Sequence, residues 1–201
     1  MEIVEKKIEK RQVAYVSYKG SYDEVPVLMG EVVGFIMAKK LQIMGPPFGV
    51  YFNSPNEVPV EELLYEVGMP FSGEIKEEGR VKTKTAPEQL FLSTTYKGPY
   101  SGAGNAIGSL AEYASKNGYE IIGPPLETYI SDPNETPESD LVTEMSFPVM
   151  KSKLKFRLTF FYSKIKKEFK NHEQIFENSP LRVFSLVYTF FGFFVILYCK
   201  W

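Results

Sequence analysis

The segment 18–22, Tyr-Lys-Gly-Ser-Tyr, decides the fold, because it returns 78 positions later as Tyr-Lys-Gly-Pro-Tyr at residues 96–100. A second segment keeps the same spacing, since Ile-Met-Gly-Pro-Pro at 43–47 matches Ile-Ile-Gly-Pro-Pro at 121–125. Over residues 3–71, 18 of 69 positions are identical to the residues 78 positions later, without a gap. A register shared over this length predicts two copies of one structural unit.

Each copy is expected to fold as a βαββ unit, the first at residues 1–78 and the second at residues 79–150. The β-branched and aromatic run before each Tyr-Lys-Gly segment predicts a strand, and apolar residues at helical spacing predict the helix that follows. Gly-Pro-Pro ends each helix and turns the chain, and two further strands complete the unit. A leading strand is expected to precede each unit, at residues 3–8 and 81–85.

Two such units predict an α+β domain over residues 1–150, with one antiparallel sheet and the helices on one face of it. The duplication predicts a pseudo-twofold axis between the halves. A groove between duplicated halves is a usual place for a ligand to bind.

Charge divides the sequence at the same point. Residues 1–150 carry 13 basic and 22 acidic side chains, a net charge of −9, whereas residues 151–201 carry 10 basic and 3 acidic, a net charge of +7. An acidic body argues against direct nucleic-acid binding through a basic face. The single cysteine and the single histidine, Cys199 and His172, lie in the second segment. The body therefore lacks the residues for a disulfide, a Ser-His-Asp group or a multi-histidine zinc site, and no cofactor is expected.

The segment 151–201 is basic and then hydrophobic, and it is expected to end in an apolar helix. Residues 183–199 are 17 residues without a charge; as a helix they would span about 25 Å, somewhat less than the roughly 30 Å hydrocarbon core of a bilayer. Three interpretations stay open: a C-terminal membrane anchor, a helix that packs on a partner, and a non-native read-through extension. The basic residues on the N-terminal side of an anchor would keep the body in the cytoplasm, which is the expected location.

The order and the duplication of these motifs resemble the GyrI-like small-molecule-binding domain. The motifs are the Tyr-Lys-Gly-x-Tyr turn, a helix, Gly-Pro-Pro, a tyrosine-containing strand, a Pro-x-x-x-Pro turn and a Glu-x-x-x-Pro strand. This is the fold of the effector-binding domains of AraC-type and BmrR-type transcription regulators, and the resemblance covers residues 1–150. It implies that hydrophobic, often cationic or planar, small molecules bind in the groove between the halves. It also implies a charged pocket residue on the last strand of the second half, which by position is Glu144.

Glu66 and Glu144 occupy equivalent positions on the predicted last strands. Each shares its strand face with a small residue, which suits the floor of a pocket; the alternative is an ordinary solvent-facing glutamate. Tyrosines would complete a cage for a planar cation by stacking and cation–π contacts, although core packing or turn anchoring is the alternative for them and is preferred for Tyr22 and Tyr100. The candidate ligand-binding residues are Glu144, Glu66, Tyr129, Tyr51, Tyr18 and Tyr96.

The sequence thus predicts a protein that binds hydrophobic small molecules, including cationic or planar ones, as a sensor or a sequestering protein. No helix-turn-helix pattern precedes the domain, so a separate DNA-binding or enzyme partner is expected. Two alternatives follow from the resemblance, because some members of the family are described as hydrolases and others as gyrase inhibitors. The first is a hydrolase in which Glu144 activates water against an electrophilic small molecule. The second is a protein-interaction module. A membrane is a further expected partner only through residues 183–199.

Overall fold

Strands form where apolar residues alternate, and the two helices form where the apolar residues change to a helical spacing. A computed structural model of the protein describes residues 1–73, 75 and 79–152. The strands of the first half are β1 (Ile3–Ile8), β2 (Arg11–Lys19), β3 (Gln42–Ile43), β4 (Phe48–Tyr51) and β5 (Leu64–Ser72), and its helix is α1 (Val25–Ala38). The strands of the second half are β6 (Lys82–Ala86), β7 (Gln89–Lys97), β8 (Tyr119–Ile121), β9 (Leu126–Tyr129) and β10 (Val142–Lys151), and its helix is α2 (Gly104–Asn117).

One antiparallel sheet contains all ten of these strands, in the order β1-β7-β10-β9-β4-β5-β2-β6, with β3 added on β5 and β8 added on β10. The predicted α+β fold, with two helices on an antiparallel sheet, is therefore confirmed. The two short strands β3 and β8 were not predicted, because two or three residues after a helix are too few to show an alternating pattern.

The leading strands pair with the opposite half of the domain. β1 comes from the first half but lies antiparallel to β7 of the second half, with Ile3 opposite Thr94. β6 comes from the second half but lies antiparallel to β2 of the first half, with Arg11 opposite Ala86. The sequence predicts these strands, but it does not indicate which half they complete.

The two halves join at the centre of the sheet, where β4 lies antiparallel to β9. Gly49 lies directly opposite Glu127, with Phe48 opposite Thr128 on one side and Val50 opposite Leu126 on the other. Gly49 and Glu127 are equivalent positions of the two copies, 78 residues apart. The pseudo-twofold axis therefore passes through this pair.

Both helices cover the same face of the sheet, but each covers its own half. Buried residues of α1, such as Leu28 and Val32, pack on β2 and β5. Buried residues of α2, such as Ala106 and Leu110, pack on β7 and β10. The helices thus form separate apolar cores, and a strip of the sheet over β4 and β9 lies between them. We refer to the helix-side surface of β4 and β9 as the central groove.

A residue with a left-handed backbone follows each helix. After α2 this residue is Gly118, with φ +77°, and at the equivalent position after α1 it is Lys40, with φ +56°. Glycine adopts this conformation without a steric penalty, whereas a residue with a Cβ atom is destabilised there.

The segment 153–201, including the predicted membrane anchor at 183–199, lies outside the described residues. Neither of the two described helices has the length and apolar character needed to cross a membrane.

Candidate functional site

The predicted carboxylates Glu66 and Glu144 lie on the sheet face that points away from the helices. Tyr65 and Val67 pack under α1, so Glu66, which alternates with them, points to the other face. Met145 packs under α2, so Glu144 does the same in the second half.

Both carboxylates are engaged in ion pairs with lysines of the leading strands. The Nζ atom of Lys6 donates to both carboxylate oxygens of Glu144, at 2.7 and 2.9 Å. Lys84, the equivalent lysine of the second copy, pairs with Glu66 in the same way across the halves. A protein cation thus already lies beside each of these two carboxylates.

The predicted residues Tyr51 and Tyr129 meet in the central groove. They are the last residues of β4 and β9, and their hydroxyl groups form a hydrogen bond with each other. Because they are equivalent positions of the two copies, the bond lies on the pseudo-twofold axis. The structure therefore brings these two candidates together, and it places them on the opposite face of the sheet from Glu66 and Glu144.

Tyr22 and Tyr100 line the same groove, although turn anchoring was the preferred interpretation for them. The ring of Tyr22 lies edge-on to Tyr51, with centroids 5.0 Å apart and an interplanar angle of 77°. The ring of Tyr100 lies edge-on to Tyr129, at 5.7 Å and 80°. The short turn that follows each Tyr-Lys-Gly segment carries these rings towards the axis. Tyr100 is also 41% exposed, so a molecule in solution has access to it.

The remaining predicted tyrosines, Tyr18 and Tyr96, lie farther from the axis, beside the helix cores. Tyr18 packs against Tyr65, with ring centroids 5.7 Å apart. The hydroxyl of Tyr96 donates to the carbonyl oxygen of Pro99, at 3.0 Å.

Glu127 is the carboxylate that lies among the groove tyrosines, and it was not among the predicted site residues. It shares the strand face of Tyr129, two residues further along β9. Burial raises the pKa of Glu127 to about 7, and neither a hydrogen bond nor an ion pair contributes to this shift among the described residues. Burial also raises the pKa values of Tyr22 and Tyr100, and the negative charge of Glu127 adds to both shifts.

Gly49 leaves room for the hydroxyl groups of Tyr51 and Tyr129 beside this carboxylate. Side chains of directly opposite residues in an antiparallel pair point to the same face, so a side chain at Gly49 would lie next to Glu127. A Cβ atom at Gly49 would be only 2.7 Å from the hydroxyl of Tyr129 and 2.9 Å from that of Tyr51. Because the first copy has Gly49 where the second has Glu127, a single carboxylate lies at the pseudo-twofold axis instead of a pair.

The sequence contains a signal for Glu127. The short strand that was predicted from its tyrosine begins one position after a glutamate, and the corresponding residue of the first copy is a glycine. The signal is thus an acidic residue next to an aromatic strand, at a position where the other copy has a glycine.

The groove combines one partly buried carboxylate with the edges and faces of several tyrosine rings. Aromatic faces and a carboxylate both attract organic cations, and the attraction is stronger where water is excluded. No group of three or more His, Cys, Asp or Glu side chains is arranged to hold a metal ion within the part of the chain that the structure describes.

Residues 1–150 match the family described as "GyrI-like small molecule binding domain". A comparison of the sequence with curated proteins found no match.

Several solved structures have a similar fold. The C-terminal domain of EcmrR has a TM-score of 0.67 and 22% identity, and the match covers 75% of this chain and 98% of that domain. In the complex of EcmrR with DNA, the chain spans just over half of that protein (57%). A hydrolase from Listeria innocua has a TM-score of 0.58 and 15% identity, with 74% and 92% of the two chains covered. SAV2435 bound to tetraphenylphosphonium has a TM-score of 0.51 and 10% identity, with 75% and 94% covered.

Proposed function

The chain belongs to the family of GyrI-like small molecule binding domains, and on this premise we propose that the central groove binds a hydrophobic organic cation. The domain would act as a ligand sensor or as a protein that sequesters its ligand. We also propose that the domain interacts with a separate DNA-binding protein or enzyme.

The observation that carries the proposal is the environment of Glu127. Transfer of a carboxylate from water to a partly buried site is unfavourable, and the rise of its pKa to about 7 expresses this penalty. A ligand cation that binds beside it restores the lost electrostatic stabilisation, and the tyrosine rings provide the apolar walls. We expect Glu66 and Glu144 to attract a ligand cation less strongly, because Lys84 and Lys6 already form ion pairs with them.

Tetraphenylphosphonium is a suitable probe, because it is a bulky aromatic cation without hydrogen-bond donors. Isothermal titration calorimetry of the full chain would give its affinity for the wild type and for Glu127→Gln, which keeps the shape of the side chain but removes its charge. Two unit charges about 5 Å apart attract by about 3 kcal/mol at an effective dielectric constant of about 20. We therefore expect Glu127→Gln to bind on the order of tenfold to a hundredfold more weakly.

The matched control is Glu144→Gln, which removes the other candidate carboxylate on the opposite sheet face. We expect its affinity to stay within about twofold of the wild type. The reverse result, with Glu144→Gln weakened and Glu127→Gln unchanged, would place the ligand site at Glu144, the residue that the resemblance indicates. Loss of binding in neither variant would contradict a carboxylate-based site.

A second candidate function is hydrolysis of an electrophilic small molecule in the same groove. The pKa of Glu127 near 7 favours it, because such a carboxyl group is available both as a base and as an acid at neutral pH. Formation of a hydrolysis product that stops in Glu127→Gln but continues in Glu144→Gln would support this candidate. Saturable binding without product would contradict it. The role of a protein-interaction module, such as a gyrase inhibitor, stays a prediction.

A further inference from the structure

Helix α1 is apolar on its outer face as well as on the face that packs on the sheet. Its inner residues, including Leu28 and Val32, are buried. Six of its residues are exposed, and none of them has a polar side chain: Pro26, Val27, Gly30, Gly34, Met37 and Ala38. Val27 and Met37 are 59% and 66% exposed. A helix that is apolar on all sides is normally covered by other protein or by lipid, so water is not the expected neighbour of this face.

The outer face of α2 has the ordinary composition of a solvent-facing helix in the same fold. Polar residues occupy four positions there whose equivalents in α1 are apolar or glycine: Asn105, Glu112, Ser115 and Lys116 in place of Val27, Gly34, Met37 and Ala38. Both helices bury the opposite face against the sheet in the same way. The fold therefore does not require an apolar outer face, and exposed apolar surface of this kind is typical of an interaction site.

The residues Val27, Gly30, Gly34 and Met37 form one stripe along α1, which we call the outer stripe. Their spacing of three, four and three positions keeps them on one side of the helix. A Cβ atom at Gly30 or Gly34 would meet nothing within 4 Å, so the middle of the stripe is open and has no side chain. A second helix backbone can approach closely at such a place, while Val27 and Met37 provide apolar contacts at the two ends. The partner that fits the stripe is therefore another helix.

The outer stripe is symmetric about the level of residue 32. Gly30 and Gly34 lie two positions from that level, one on each side, and Val27 and Met37 lie five positions from it. When two copies of α1 pack antiparallel around a twofold axis at this level, Gly30 of one copy faces Gly34 of the other. Val27 of each copy then packs on Met37 of the other. The stripe is thus complementary to itself in the antiparallel direction.

The charges at the ends of α1 favour the same arrangement. Glu24 precedes the helix by one residue and Lys40 follows it by two, so both lie eight positions from residue 32. In the antiparallel pair each Glu24 lies opposite a Lys40 of the other copy, and opposite charges attract. In a parallel pair Glu24 would lie opposite Glu24 and Lys40 opposite Lys40. This charge complementarity identifies a second copy of the chain as the partner.

We propose that two copies of the protein associate through their outer stripes, with the two α1 helices antiparallel around a twofold axis. The helix has 14 residues, so the stripe is about 21 Å long and about 10 Å wide. A contact of this size is smaller than the roughly 800 Å² that each partner buries in a stable complex. We therefore expect a weak dimer, with a dissociation constant on the order of 10–100 μM. Dimerisation would not require a ligand in the central groove.

Sedimentation velocity of the full chain at concentrations from about 1 to 300 μM measures the dimer directly. Gly34→Glu places a charge in the middle of the outer stripe, so we expect this variant to stay monomeric where the wild type dimerises. Gly108→Glu is the matched control, because this glycine lies on the exposed side of α2 and a Cβ atom there also meets nothing within 4 Å. We expect it to dimerise as the wild type does. A wild type that stays monomeric, or a dimer that Gly34→Glu leaves unchanged, would overturn the α1 interface.

Exchange of the end charges tests the antiparallel arrangement. Glu24→Lys alone and Lys40→Glu alone place like charges opposite each other, so we expect each to weaken the dimer by about tenfold, the effect of losing two exposed ion pairs. The double variant restores opposite charges, so we expect wild-type association. A double variant that is as weak as the single variants would overturn the pairing of Glu24 with Lys40. Circular dichroism of each variant checks that the fold is unchanged.

Disulfide crosslinking locates the contact on the helix surface. In a chain that also carries Cys199→Ser, Val27→Cys together with Met37→Cys should give a covalent dimer on oxidation, because the two positions face each other. Each substitution alone should not, because the two copies of one position lie about 15 Å apart along the helices, whereas a disulfide needs Cα atoms within about 7 Å. The equivalent pair in α2, Asn105→Cys with Ser115→Cys, is the control and should stay monomeric. No crosslinking of the α1 pair, crosslinking of the single variants, or equal crosslinking of both pairs would overturn the antiparallel α1 dimer.

Discussion

Replacement of Glu127 by glutamine should stabilise the folded protein, and the gain should depend on pH. Burial raises the pKa of Glu127 from 4.5 to about 7 in the folded state, whereas the unfolded chain keeps the ordinary value. Below pH 4.5 both states carry the proton, so ionisation of Glu127 makes no contribution to the free energy of unfolding. Between pH 4.5 and 7 the unfolded chain loses the proton first, so stability falls as the pH rises.

The magnitude follows from the size of the pKa shift. The pKa rises from 4.5 to about 7, and a pKa difference of one corresponds to about 1.4 kcal/mol, so the penalty above pH 7 is at most about 3.5 kcal/mol. The true value is smaller to the extent that water reaches the carboxylate. Glutamine does not titrate, so the stability of Glu127→Gln relative to the wild type should rise between pH 4.5 and 7 and then stay constant.

Urea denaturation of the full chain, followed by circular dichroism at pH 4.5, 6, 7 and 8, measures this difference. Glu144→Gln serves as the control, because it removes a surface ion pair with Lys6 and should lower stability by at most about 1 kcal/mol at pH 7. A gain in Glu127→Gln that is the same at pH 4.5 and pH 8 would refute the assignment of a buried, high-pKa carboxyl group to this position.

Three further changes test other features of the domain. The affinity for tetraphenylphosphonium should rise about tenfold from pH 6 to pH 8 in the wild type as Glu127 ionises, and calorimetry of Glu127→Gln should give a flat profile. Lys40→Gly should increase the free energy of unfolding by about 1 kcal/mol in urea denaturation, because glycine has no Cβ atom to strain the left-handed backbone at this position. An unchanged denaturation midpoint would show that the backbone at Lys40 is not strained. Gly49→Ala should destabilise by about 1–3 kcal/mol, because its Cβ atom would lie within 3.0 Å of both groove tyrosines. The matched variant Gly30→Ala, where a Cβ atom meets nothing within 4 Å in a helix, should stabilise by up to about 1 kcal/mol, and similar denaturation midpoints for the two variants would argue against crowding at Gly49.

The fold was largely predictable from the sequence, because each structural element is indicated independently by two copies of the repeat. The runs that end at Lys19 and Lys97 both form strands, and both Gly-Pro-Pro segments follow their helices. The pairing of the strands was harder to predict from the sequence, because the residues of β1 are equally suited to an edge position in either half. Pairing between distant segments depends on which surfaces remain open after the helices pack, and a local pattern does not contain that information.

The site was predictable only in part, for a related physical reason. Alternation along a strand shows that Glu144 and Ser146 share one face and that Glu127 and Tyr129 share another, but it does not show which face the helices cover. The tyrosines at the axis were recognised because the repeat places them at equivalent positions. Glu127 was missed because its equivalent in the first copy is Gly49, and a search for identical pairs within the repeat passes over positions where the copies differ.

The pairing of each leading strand with the opposite half has a consequence for how the chain folds. β1 and β7 are separated by about 80 residues of sequence, yet they are neighbours in the sheet, and Lys6 joins Glu144 across a separation of 138 positions. Contacts between such distant segments form late and slow the folding of small domains. The exchange of β1 and β6 also links the two copies, because the outermost strand of each half comes from the other half. The duplicated domain should therefore unfold as one cooperative unit, and removal of either outermost strand should destabilise both halves.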